Sequence, residues 1–180
     1  MNPMTTDIRY PVGRFAPVAN DSRDAVDRSI AEIASLPGQL RAAVSGMDEG
    51  QLDTPYRDGG WTPRQVVHHL ADSHMNAYVR CKLALTEDQP RITPYNEAAW
   101  ATLPDVGSVP VGVSLDLLEA LHARWVALLG ALDDADFDRA YVHPEHEKPV
   151  PLRTVTALYA WHGRHHTAHI LALRERNGWT

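Results

Sequence analysis

Apolar residues recur at three- and four-residue spacings in four long stretches of this chain, the period of helices that bury one face. From Asn20 to about Val44, the positions Val26, Ile30, Ile33, Leu36, Leu40 and Val44 predict a first helix, broken or kinked at Pro37-Gly38. A second should start at Pro63, where Thr62 can cap and Gln65 completes a Thr-x-x-Gln capping box, and run to about Thr86. The third is expected from a cap at Ser114 through Ala131, with Leu115, Leu118, Leu121, His122, Trp125, Leu128, Leu129 and Leu132 on its buried side. A fourth runs from about Leu152 to Asn177, where Gly178 is a natural stop.

Proline and glycine mark what lies between. Pro90, Pro94, Pro104, Gly107, Pro110 and Gly112 define a long connection with one short helix around Asn96 to Leu103, and Pro144, Pro149 and Pro151 a turn region. Pro3, Pro11, Gly13 and Pro17 make residues 1–19 an irregular arm, expected to cross the bundle without organising a site. The expectation is an all-α four-helix bundle forming a single domain over residues 1–180, with no repeat or linker.

Composition narrows the function. The formal charge of −6 is spread along the chain with no basic stripe to neutralise phosphates, so nucleic acid is not an expected partner. No apolar run approaches the roughly 20 residues that span a bilayer, so no membrane is expected. The first residues lack the basic and apolar regions of a signal peptide, so the cytoplasm is the expected compartment. Cys81, the single cysteine, falls on an apolar helix face and is expected to be a buried hydrophobe.

The anomaly is ten histidines in 180 residues. At about 100° per residue, Val155, Leu158, Tyr159, His162, His166, His169, Ile170 and Leu173 share one stripe of the fourth helix. Thr156, Ala160, Arg164, Thr167, Arg174 and Glu175 fall opposite. Imidazoles four residues apart rise on one side of a helix, so His162 and His166 can converge on one metal ion. Such a pair alone is only moderately specific, and a third ligand has to come from elsewhere.

In the second helix, His69 lies on a polar line with Gln65, Asp72 and Asn76, whereas His68 falls with Arg64, Met75 and Lys82 on an expected solvent side. His74 lies on the apolar stripe, where a structural hydrogen bond is expected. The expected metal ligands are therefore His69, His162 and His166. Asp72 is a candidate to accept the second ring N–H of His69, with a solvated helical Asp as the alternative. His169 is a candidate proton donor, supporting group or replacement ligand, with a structural role preferred. No role is expected for His122, His143 and His146, and His165 is not expected to be a ligand.

The segments Trp61-Thr62-Pro63-Arg64-Gln65-Val66-Val67-His68-His69-Leu70-Ala71-Asp72-Ser73-His74 and Trp161-His162-Gly163-Arg164-His165-His166-Thr167-Ala168-His169-Ile170 resemble the DinB superfamily. Thr54-Pro55-Tyr56-Arg57-Asp58-Gly59-Gly60-Trp61 and Ala157-Leu158-Tyr159-Ala160-Trp161-His162 are similar to its YfiT-type metal-dependent hydrolases. The resemblance implies a four-helix bundle of unusual connectivity with long crossovers, often a homodimer. It also implies one Zn2+ or Ni2+ per subunit on His69, His162 and His166. Many relatives carry Gln where this chain has His169, so no role carries over to that position.

Three imidazoles without thiolates leave a coordination position open, as in catalytic rather than structural zinc sites. The preferred expectation is a hydrolase acting on a small-molecule substrate, with no His-Glu-x-x-His motif and hence no peptidase-type base. Next comes an S-transferase using a low-molecular-weight thiol such as bacillithiol or mycothiol, as the resemblance implies for related members. Last is a non-catalytic metal-binding protein, which a sealed site with a fourth ligand such as His169 would favour.

Overall fold

A computed structural model describes residues 7–17, 22–145 and 147–179. The elements are α1 (Arg23–Val44), α2 (Glu49–Leu52), α3 (Pro63–Thr86), α4 (Glu97–Trp100), α5 (Pro104–Ser108), α6 (Val111–Gly130), α7 (Asp134–Asp138), β1 (Ala140–Val142), β2 (Pro149–Pro151) and α8 (Leu152–Asn177). Helix α3 starts where the capping signal places it: Gln65 N donates to Thr62 Oγ1 at 3.2 Å, and Thr62 N donates to Gln65 Oε1 at 3.0 Å. Helix α8 stops at Gly178, which takes the left-handed conformation (φ 65°) that a Cβ would disfavour.

The structure differs from the sequence expectations in several places. Helix α1 is not broken at Pro37 but continues through it. Helix α6 begins at Val111 behind Pro110 with no capping side chain, so Ser114 is not its cap. The turn region around Pro144 contains the antiparallel pair β1 and β2, with Ala140 opposite Pro151 and Val142 opposite Pro149. A short ribbon tolerates prolines because its outer N–H groups need no partner. Asn20, His146 and residues 1–6 and 18–19 of the expected arm lie outside the described residues.

Helix α1 packs on α6 and α8, and α3 packs on the same two, so α1 faces α3 and α6 faces α8 across the bundle diagonals. The connections α1 to α3 and α6 to α8 therefore cross the bundle instead of joining neighbours as an up-and-down bundle does. The core has two apolar clusters, one around Ile30, Ile33, Trp125, Leu129, Phe137 and Val155, the other around Leu36, Leu40, Leu70, Leu118, Ile170 and Leu173. Each long helix passes from one cluster to the other near its middle. There α3 carries His74, α6 carries His122, and α8 carries His162 and His166. A layer of imidazoles thus separates two apolar halves.

Candidate metal centre

His69 on α3 and His162 and His166 on α8 bring ring nitrogens within 4.8 Å of one another. His69 and His166 are buried and His162 is half-buried. Nε2 of His69 and Nε2 of His162 lie 3.3 Å apart. Two nitrogens bound about 2.0–2.1 Å from one tetrahedral ion stand about 3.3–3.4 Å from each other, so the pair has the spacing of a chelating set. His166 makes no hydrogen bond among the described residues, and its buried Nδ1 has no partner, so no protein group competes for that ring. The donor set fits a borderline cation such as Zn2+ or Ni2+, and it does not choose between them.

Burial keeps these rings neutral and therefore able to donate lone pairs. It lowers His69 from 6.5 to about 4, and burial followed by neighbouring imidazoles holds His162 and His166 well below 6.5.

Of the flanking residues, His68 and Arg64 differ from expectation. His68 does not face solvent: it is 7% exposed, and its Nδ1 lies 2.7 Å from Ser114 Oγ, tying α3 to α6. Arg64 is buried as well, its guanidinium bonded to Asp53 Oδ1 at 2.7 Å and to Glu49. Asp72 is half-buried and forms no hydrogen bond to His69; burial, then Asp105, raises its carboxyl above the ordinary range. His169 lies outside the three-histidine group, with Nε2 at 3.2 Å from His165 Nε2 and its ring stacked 4.0 Å from Tyr56. His74 has the expected hydrogen bonds, to His122 and His162. His122, given no role from sequence, is 2% exposed and bonded at both ring nitrogens.

The segment before α3 builds one wall of the site. Tyr56 N donates to Trp61 O at 3.0 Å and Gly60 N to Arg57 O at 2.9 Å, closing a tight turn. The turn needs glycine: at Gly59 φ is 62°, and a Cβ on Gly60 would lie 2.6 Å from Arg57 Cγ. It sets Trp61 4.6 Å from the His69 ring and 6.0 Å from His166, and Tyr56 against His169. The arm packs beside this region: Trp161 Nε1 donates to Gly13 O at 3.1 Å, and Tyr10 lies 5.9 Å from the His165 ring.

A helical bundle with diagonal crossovers and three converging imidazoles defines the class. The chain belongs to the DinB superfamily, whose profile matches residues 32–170. It is 54% identical over 173 residues to a protein of Bacillus mycoides strain KBAB4 named "putative metal-dependent hydrolase", covering 96% of this chain and 99% of that one. A protein of the same name from Geobacillus thermodenitrificans strain NG80-2 is 52% identical over 172 residues, covering 96% and 97%. The structure of YfiT from Bacillus subtilis, described as "a probable metal-dependent hydrolase with an unusual four-helix bundle topology", superposes with a TM-score of 0.93 at 48% identity. That match covers 96% of this chain and 99% of the other.

Proposed function

We propose that this chain is a metal-dependent hydrolase of a small-molecule substrate in which His69, His162 and His166 hold one divalent ion, Zn2+ or Ni2+. The observation that carries this reading is the convergence of three neutral imidazoles within 4.8 Å, with no carboxylate or thiolate in the group. The names of the similar proteins support it. A bound cation supplies Lewis acidity, to polarise a substrate oxygen or to make a water nucleophilic near neutral pH. Trp61 stands 4.6 Å from the His69 ring and 6.0 Å from the His166 ring, a flat apolar surface beside the site against which a substrate can lie. The hydrogen-bonded His165 and His169 pair lies beside His166 and packs against its ring.

The test is elemental analysis by mass spectrometry of tag-free protein beside His69→Ala, His162→Ala and His166→Ala, followed by ester, amide and lactone substrates. About one ion per chain, lost in each folded variant together with turnover, is the expected result. Absence of stoichiometric metal overturns the reading. Metal-dependent consumption of a thiol with a model electrophile, without hydrolysis, would assign an S-transferase instead.

A further inference from the structure

Behind His162 runs an unbroken line of imidazoles. His162 Nδ1 lies 3.2 Å from His74 Nε2, His74 Nδ1 lies 2.9 Å from His122 Nε2, and His122 Nδ1 lies 2.6 Å from the carbonyl oxygen of Ile33. His74 and His122 are 0% and 2% exposed, and their rings lie nearly coplanar, edge to edge, with centroids 5.0 Å apart and planes 12° from parallel. The last member of the line is not a histidine, and that gives the line a direction. A carbonyl only accepts, so His122 carries its proton on Nδ1 and offers a lone pair at Nε2. His74 must then donate from Nδ1 and accept at Nε2, which makes His162 donate from Nδ1 as well. Every ring has one tautomer, and His162 is left with a bare Nε2 pointing at His69 Nε2, 3.3 Å away.

The origin of the free carbonyl is in the sequence. In an α-helix the N–H of residue 37 bonds to the carbonyl of residue 33, and Pro37 has no N–H. Ile33 is 1% exposed, so its carbonyl would be stranded away from water if His122 did not reach it. The proline inside α1 and the histidine inside α6 complete one another.

We infer that His122 and His74 are positioning residues that transmit the polarity of the Ile33 carbonyl to His162, locking its Nε2 as a metal donor. The inference rests on the reading of His69, His162 and His166 as a metal site. Metal-bound histidines commonly donate their second N–H to a carboxylate, carbonyl or water, and loss of that partner typically costs 10–100-fold in metal affinity. Here the carbonyl acts through two intervening imidazoles. The line ends on a backbone carbonyl rather than on water, so it orients His162 and has no exit for a proton.

Two measurements test this. Long-range ¹H–¹⁵N correlation spectra of the metal-free protein report tautomers directly, and Nδ1–H is expected on His162, His74 and His122. An Nε2–H tautomer on His162 or His74 overturns the inference. Zn2+ affinity is then measured by competition with a chromophoric chelator. His122→Leu, which removes both the donor to Ile33 and the acceptor for His74, is expected to bind about 10–100-fold more weakly. His122→Gln, whose amide can donate one way and accept the other, should return to within a few-fold of wild type. Wild-type affinity in a folded His122→Leu overturns the inference. If His122→Leu does not fold, the tautomers of wild type and the affinity of His122→Gln decide. Wild type that takes up no Zn2+ defeats the metal reading itself, and the spectra still decide the line of tautomers.

Discussion

Replacing Gly163 by alanine tests how closely α8 must approach α1. A Cβ built on Gly163 would lie 2.6 Å from Leu36 Cδ2, 2.9 Å from Cδ1 and 3.2 Å from Cγ. Favourable carbon contacts are about 3.5–4.0 Å, so the nearest is about 1 Å too short. The whole isopropyl group of Leu36 is on the wrong side of that limit, and at 2% exposure it is enclosed, so one rotamer change does not clear the clash. Overpacking of this kind costs about 1–3 kcal/mol, against about 1 kcal/mol gained by exchanging glycine for alanine inside a helix. Gly163→Ala should therefore destabilise by up to about 2 kcal/mol, or leave stability unchanged at best. Thermal unfolding should show a fall of about 2–4 °C per kcal/mol for a domain of this length.

A double-mutant cycle separates the terms. Leu36→Ala leaves a cavity beside Gly163 and alone should cost about 2–5 kcal/mol. Added to it, Gly163→Ala has no clash left and should become neutral or stabilising, a coupling of about 1–3 kcal/mol. A rise in melting temperature for Gly163→Ala alone, with additive effects in the double variant, would refute the argument that this glycine is kept for close packing.

Other perturbations give simpler outcomes. Burial lowers His69 and His122 to about 4, so between pH about 6.5 and 4 the unfolded chain takes up protons that the folded one refuses. Stability should then be full above pH about 6.5 and fall towards pH 4, each group contributing on the order of 3 kcal/mol. Urea midpoints of metal-free protein at pH 7.5, 6 and 5 check this, and a flat profile contradicts it. Cys81 is 0% exposed, and burial pushes its thiol up to about 12, so iodoacetamide should label it only once the protein is unfolded. Arg64→Ala, which removes charged hydrogen bonds to Asp53 and Glu49 from a buried stem, should cost about 1–3 kcal/mol in urea unfolding.

Helical phase made the four long helices and the three converging histidines legible in the sequence, and capping chemistry fixed the start of α3 alone, since α6 and α8 begin without a capping side chain. What the pattern missed follows from its assumption that a helix has one buried face. On α8 the side opposite the histidines carries Thr156, Ala160 and Thr167, whose modest hydropathy suggests solvent, yet all three are buried, as is Gly163 at the edge of that side. Small residues at this spacing admit the backbone of a neighbouring helix, and Leu36 of α1 meets Gly163 there. His68 and Arg64 were misplaced for a related reason: each is buried by a partner from elsewhere in the chain, Ser114 for one, Glu49 and Asp53 for the other. His122 gave no local signal because its partners, His74 and Ile33, lie 48 and 89 residues away. Pro37-Gly38 gives a signal for a break or a kink, and of these the break is absent: α1 continues through Pro37, and His122 takes the vacated acceptor.

Under the proposed reading of His69, His162 and His166 as a metal site, the distribution of the core assigns the ion to chemistry rather than to folding. A structural zinc site contributes folding energy where a small domain cannot bury enough apolar surface, and such domains unfold when the metal is removed. This chain has an apolar cluster on each side of its histidine layer, with Trp125, Phe137, Leu40, Leu70, Leu118 and Ile170 almost wholly enclosed. Within the layer, His74 and His122 already have hydrogen bonds at both nitrogens from the protein itself. Chelator-treated protein should therefore keep its helical circular dichroism and unfold cooperatively. Metal at about 100 times its dissociation constant should add only about 2.7 kcal/mol, the amount that mass action gives to any ligand of the folded state. Collapse of the fold on metal removal would show that the ion is a staple, and would favour the non-catalytic reading over the hydrolase.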